Sequence, residues 1–149
     1  MSLEQDINQH LKDAMKAKDQ IKLRGLRAIK SAILLSKTSG KGTDLSEKEE
    51  IQLLQKLVKQ RKDSLEIYQE QNRPELAKKE EEEIEVISAF LPKQMDEEEV
   101  KEKIQQIIED VGASSPADMG KVMGAAMKQL SGKADGKMIS SVAKALLAG

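Results

Sequence analysis

Met119-Gly-Lys-Val-Met-Gly-Ala-Ala-Met-Lys-Gln-Leu-Ser-Gly-Lys-Ala-Asp-Gly-Lys137 is the stretch whose reading decides the fold. Met119, Val122, Met123, Ala126, Met127 and Leu130 recur at three- and four-residue spacings, the apolar stripe of an amphipathic helix. Gly132 then supplies a stop, and Asp135 can cap a last helix carrying Met138, Ile139, Val142 and Leu146. Gly120, Gly132 and Gly136 are each followed by lysine, so close backbone packing and positive charge are expected in the same places. Gly120 and Gly124 read as positions where another helix approaches closely.

The same order of cap, stripe and stop runs upstream. Ser115-Pro116 opens the helix just described, and Gly112 closes an earlier one with Val100, Ile104, Ile107, Ile108 and Val111, begun by Asp96 and Glu99 as a capping box. Pro92 ends the helix before that, whose face carries Leu76, Glu80, Ile84, Ile87 and Leu91 and which starts at Pro74. On its other face Glu75 is expected to pair with Lys79, and Lys78 with Glu82. Ser46 and Glu49 form another capping box, opening a helix with Ile51, Leu54, Val58, Leu65 and Tyr68 that should run to about Gln71. Thr38 to Asp44 reads as a loop. Leu3, Ile7, Leu11 and Met15, then Leu26, Ile29 and Ile33, complete the helical pattern. No segment alternates with period two, so the expected fold is all-α, with an N-terminal helical bundle over residues 1–93 and a smaller C-terminal three-helix domain over residues 94–149.

Composition narrows the function. The 149 residues are 38% hydrophobic and 34% charged, which suits long solvated helices. Tyr68 and Phe90 are the only aromatics, so binding of single strands by base stacking is excluded in practice. Net charge is −1, but it is uneven: residues 1–40 hold eight basic and four acidic groups, residues 41–112 twelve and twenty, and residues 113–149 five and two. Because potentials act locally, a basic end could face a polyanion while the bulk charge stays near zero. Cysteine is absent, so thiol chemistry is too. No apolar run is long enough to span a membrane, and a cytoplasmic protein is expected.

Catalysis needs a nucleophile, a base and an electrophilic stabiliser. His10 is the only histidine, and it reads as a solvated surface residue. Ser141-Val-Ala-Lys144 matches Ser-x-x-Lys without the companion elements of that enzyme class. Gly132-Lys-Ala-Asp-Gly136-Lys137 resembles the end of a phosphate loop, but Ser131 stands where its first glycine belongs and Met138 where its metal-binding hydroxyl belongs. Glu80 to Glu85 lacks the ligand variety of a metal site. No catalytic residue, metal or cofactor is therefore expected. What remains is recognition: Lys121, Lys128, Lys133, Lys137 and Lys144 populate the last helices, and Gly132 and Gly136 clear space beside the N-terminus of the last one, where an anion is favoured. The alternative from the same residues is that the glycines are helix punctuation and the lysines ordinary solvated charges.

Gly120-Lys-Val-Met123, Gly132-Lys-Ala134, Lys137 and Leu146 resemble the tail of the B subunit of aspartyl/glutamyl-tRNA amidotransferase, and the whole length resembles the free-standing YqeY-like branch of the GatB/YqeY superfamily. Lys121 replaces a glutamine of the tail pattern, and Asp135-Gly136 replaces Asn-Pro. Further family-like features are Arg24 to Arg27, Arg61-Lys62, Asn72-Arg73, Glu80 to Glu83 and Phe90-Leu-Pro92. The resemblance implies a tRNA-binding or amidotransferase-associated helical module, grouped with carbon–nitrogen ligases that use glutamine as amido donor. It implies no reaction of its own, because the kinase-like cradle of the B subunit and the Ser-Ser-Lys amidase of its partner have no counterpart here. The expected contacts are Lys121, Lys128, Lys133 and Lys137, extended by Arg24 and Arg27, with Gly120, Met123, Gly124, Gly132 and Gly136 setting the helix geometry. The expected partners are tRNA and an amidotransferase or other translation-related protein. The alternatives are a protein-docking module without an RNA role, using an exposed apolar stripe and the Glu80 to Glu85 face, and an accessory to glutamine-dependent carbon–nitrogen ligase (amidotransferase) activity.

Overall fold

The computed structural model describes residues 2–41 and 44–149; among them are seven α-helices and no strand, so the fold is all-α. The chain divides into two compact units, Met1–Leu91 and Pro92–Gly149.

In the first unit, α1 (Leu3–Ala17) begins at Ser2, whose hydroxyl accepts from the Gln5 amide while the Gln5 side chain accepts from Ser2 N–H. Leu3 N–H donates to the Glu50 carboxylate at 2.7 Å, tying this end to the helix that begins at Glu47. Lys18, at φ 54°, turns the chain into α2 (Gln20–Ser36), capped by Asp19. Residues Lys37–Lys41 then wind on as a π-helical turn where a loop was expected. The Thr38 and Ser39 hydroxyls donate to the Leu35 and Ser36 carbonyls and so satisfy part of the helix end. Residues 42–43 of that expected loop lie outside the described residues.

Ser46 and Glu49 form the expected capping box of α3 (Glu47–Glu70). Asn72, at φ 56°, makes the turn into α4 (Pro74–Ser88). Ser88 is three residues short of the end expected before Pro92. α1 lies along α2, α3 along α4, and the two hairpins meet where α2 crosses α4. Ile7, Leu26, Ile29, Ile33, Leu54 and Ile87 are fully buried there, each contributing ~1.5–3 kcal/mol by removal from water. Ala14 replaces Met15 on the buried face of α1, and Met15 is 53% exposed. The period of 3.6 rotates the buried stripe backward by one position after two turns.

Close helix approach occurs at Gly25, not at the glycines expected. A Cβ on Gly25 would stand 2.6 Å from Val86 Cγ1 and 2.7 Å from Val86 Cβ, whereas at Gly120 and Gly124 it would meet nothing within 4 Å. Those two glycines lie on the exposed side of their helix. The expected Glu75–Lys79 and Lys78–Glu82 pairs also give way to others. Glu75 accepts from Arg73 at 2.9 Å, and Glu82 accepts from Arg24 of α2 at 3.2 Å. Glu83 lies between Arg24 (3.7 Å) and Arg61 of α3 (3.4 Å). Part of the acidic run is therefore turned inward as the polar seam between three helices, and Glu80 beside it is held above the usual carboxylate range by burial and by Glu83, with Arg61 and Arg24 opposing.

In the second unit, α5 (Glu97–Val111) starts at Asp96, whose carboxylate accepts from Glu99 N–H at 2.8 Å. Only this half of the expected capping box is formed. Gly112 closes the helix at φ 69°. A 3-10 turn (Pro116–Asp118) leads into α6 (Met119–Leu130), and α7 (Gly136–Ala148) follows. Each of α5, α6 and α7 packs on the other two. Val100, Ile104, Val122, Ala126, Leu130 and Ile139 fill the space between them.

Candidate nucleic-acid interface

The α6–α7 turn is built from residues with sharply different roles. Gly132, at φ 78°, adopts the left-handed conformation that favours glycine. Lys133 follows with an exposed side chain, and Ala134 is buried in the three-helix core. Asp135 then caps α7 by accepting from Lys137 N–H at 3.3 Å. The alternation forces Lys133 outward, since its neighbour Ala134 anchors the turn.

Two residues that sequence reasoning missed hold this turn in place. The Gln94 side-chain amide donates to the Gly132 carbonyl at 2.8 Å, and Met95 N–H donates to the Lys133 carbonyl at 2.7 Å. Gln94 also donates to the Pro92 carbonyl at 2.8 Å. Pro92 to Met95 read only as a boundary, and no local pattern marks an amide that reaches 38 residues along the chain.

Lys121 and Lys128 are seven residues apart on α6, and Lys137 and Lys144 seven apart on α7. A seven-residue step returns to nearly the same face of a helix, ~10.5 Å farther along its axis. All four are exposed, as is Lys133. The Met127 methyl lies 3.9 Å from where a Gly136 Cβ would be. Lys128 and Lys137 are thus neighbours in chain of the two residues that meet at the turn, with Lys133 on the connection between them. Met127 is 45% exposed and lies beside these charges. None of the five lysines has an ion-pair partner among the described residues. Asp118, close to Lys121, is held below the usual carboxylate range first by the Ser114 N–H at 2.9 Å, then by Ser115 N–H and by Lys121.

The N-terminus of α7, by contrast, is filled by its own Asp135 carboxylate, which opposes a second anion there. The contacts available to a polyanion are the lysine side chains. Arg24 and Arg27 belong to the first unit; Arg24 is engaged with Glu82 and Glu83, while Arg27 is exposed. Gly120 and Gly124, exposed and open, leave that side of α6 without bulk, and Met123 is half-buried against the core. Among the described residues no cluster of metal-ligating side chains occurs, and no helix is long and apolar enough to cross a membrane.

A family model described as Yqey-like protein matches residues 4–147. Three similar proteins share the name "Altered inheritance of mitochondria protein 41, mitochondrial". That of Kluyveromyces lactis is 32% identical over 93% of this chain and 72% of its own length. That of Clavispora lusitaniae is 36% identical over 80% and 69%. That of Lachancea thermotolerans is 33% identical over 75% of this chain, and the match spans only 61% of that protein.

Proposed function

Because the chain belongs to the Yqey-like protein family, we propose that it is a tRNA-binding or tRNA-amidotransferase-associated helical module whose second unit contacts the RNA backbone. The observation that carries this reading is the set of unpaired, exposed lysines at the α6–α7 turn. In the first unit, Arg24, Lys30, Lys37 and Arg61 are all held by carboxylates. Cations left free on a compact helical surface keep their full potential for phosphate, and releasing counterions from the RNA supplies the driving force. Met127 and the open face at Gly120 and Gly124 let a backbone approach without steric hindrance. Specificity for one RNA would come from shape, since aromatic platforms are lacking.

The test is tRNA binding measured over a series of salt concentrations for the wild type and a Lys128→Gln/Lys133→Gln/Lys137→Gln variant. Loss of three phosphate contacts should lower the slope of log affinity against log salt by ~2–3. No binding at low salt, or an unchanged slope, refutes the proposal. The module is proposed to act without an active site of its own, so purified protein given glutamine and misacylated tRNA should form no amide. The relatives' names place those proteins in mitochondria; for this chain, a cytoplasmic location remains the proposal, and cell fractionation decides it.

A further inference from the structure

The first unit contains a groove that the proposed RNA contact does not use. It lies between α1, α2 and α4, encloses about 860 Å³, and is half open to solvent. Its walls are apolar, formed by Leu3, Ala14, Leu26, Val86 and Phe90 among others, and they include Ile21, which is 41% exposed. The same lining includes five carboxylates, Asp6, Asp13, Asp19, Glu82 and Glu85, against a single lysine, Lys22, and His10. Of these carboxylates Glu82 has an arginine partner in Arg24. Asp6 faces His10 at 3.4 Å, and Asp13 accepts only from the neutral Gln9 amide. Glu85 is exposed and has no ion-pair partner among the described residues.

His10 is the exposed surface residue expected from sequence, and it also has partners. The Asp6 carbonyl, 2.8 Å from Nδ1, can only accept, so Nδ1 carries the proton and the imidazole is oriented. Its ring stands edge-on to Phe90, with centroids 5.0 Å apart and planes at 81°. Phe90, itself packed against the core of the first unit, forms part of the groove wall.

We propose that this groove docks an amphipathic helix of a partner protein, apolar on one face and rich in lysine or arginine on the other. The charge complementarity selects the occupant. Five carboxylates in the groove lining repel RNA, and the apolar walls reward burial of aliphatic side chains that a small polyamine lacks. A helix laid in the groove buries its leucines against Ile21, Val86 and Phe90 and presents its cations to Asp13, Asp19 and Glu85. This surface is independent of the lysines at the α6–α7 turn, so either can fail alone.

The probe is a fluorescent 18-residue peptide with leucine at helical i, i+3, i+4 and i+7 positions and lysine elsewhere, compared with an otherwise identical peptide carrying glutamate for lysine. The lysine peptide should bind the full-length protein and shift amide resonances of residues such as Ala17 and Ala89, and the glutamate peptide should not bind. Asp13→Asn/Glu85→Gln, both exposed and outside the core, should weaken binding about tenfold at low salt with unchanged circular dichroism. The Lys128→Gln/Lys133→Gln/Lys137→Gln variant should bind the peptide as the wild type does. Equal binding of the glutamate peptide, perturbations mapping away from the groove, indifference to the double substitution, or displacement by equimolar spermidine would each overturn the proposal.

Discussion

Replacing Gly25 by alanine should destabilise the first unit, while the same change at Gly124 should stabilise the second. At Gly25 the new Cβ would stand 2.6 Å from Val86 Cγ1 and 2.7 Å from Val86 Cβ, about 1 Å inside the separation at which carbon atoms attract. Rotation of the Val86 side chain relieves only the first contact, because the second is to Cβ itself. α2 and α4 must therefore move apart, opening the packing around Leu26 and Ile87. Overpacking of this kind costs ~1–3 kcal/mol, offset by ~1 kcal/mol from the better helix propensity of alanine. The net loss is then up to about 2 kcal/mol, and less if the hairpins slide. At Gly124 no atom lies within 4 Å of the new Cβ, so the propensity gain of ~1 kcal/mol stands alone. In a unit of this size each kcal/mol moves the midpoint by roughly 4–8 °C. Chemical denaturation followed by amide hydrogen exchange assigns each change to its unit. Val86→Ala in the Gly25→Ala background should recover only part of the loss, since the Cβ contact persists. Substitutions that shift stability in the same direction at both sites, or complete recovery with Val86→Ala, would refute the assignment of close helix approach to Gly25.

The α6–α7 turn should be sensitive to Gly132→Ala, which forces a side chain into positive φ at a cost of ~1–2 kcal/mol, readable as a lower denaturant midpoint for the second unit. Glu4 is held below the usual carboxylate range by hydrogen bonds first from Lys37 and then from Lys30. A depressed carboxylate contributes stability that is present above its unfolded value and lost as pH falls through its folded value. Glu4→Gln should thus lower stability at neutral pH and match the wild type in acid, which paired urea titrations will show. Glu80 has the opposite sign: its raised value contributes stability below the unfolded value that disappears as pH rises through the folded one. Glu80→Gln should accordingly gain in relative stability from acid to neutral pH, and a gain in the reverse direction would contradict the burial assigned to it.

Helix ends were legible because capping is local. Ser46 with Glu49, Asp96, Gly112, Pro74 and Asp135 each act within four residues of themselves, and each performs the expected structural role. What lies beyond that range was not legible. Gly120 and Gly25 have the same local appearance, a glycine inside a helical pattern, and only the crossing helix tells them apart. The glutamates of α4 pair in sequence with nearby lysines, yet the arginines of α2 and α3 reach them across the bundle, where desolvation and a planar guanidinium favour that exchange. Gln94 and Met95 were invisible for the same reason. The five lysines were identified as residue types, but their freedom from ion pairs is a property of the fold: each lies on an outward face or an exposed turn, and among the described residues none comes within ion-pair distance of a carboxylate.

A formal charge of −1 thus conceals two surfaces of opposite sign. One carries lysines without carboxylate partners, the other carboxylates largely without cationic ones. Had these groups been positioned for stability, some of them could have been paired within their own units, as Arg24, Lys30, Lys37 and Arg61 are. Surface pairs of that type are worth little to folding, so leaving them open costs little and preserves long-range attraction for charged ligands. The two surfaces also respond separately to composition of the medium. Raising salt should weaken RNA binding steeply, because counterion release sets its slope. Binding in the apolar groove should weaken far less, because burial of aliphatic side chains is not screened. Parallel salt titrations of the two ligands therefore distinguish a polyanion contact from an amphipathic one on the same molecule, and coincident slopes would mean that a single electrostatic surface accounts for both.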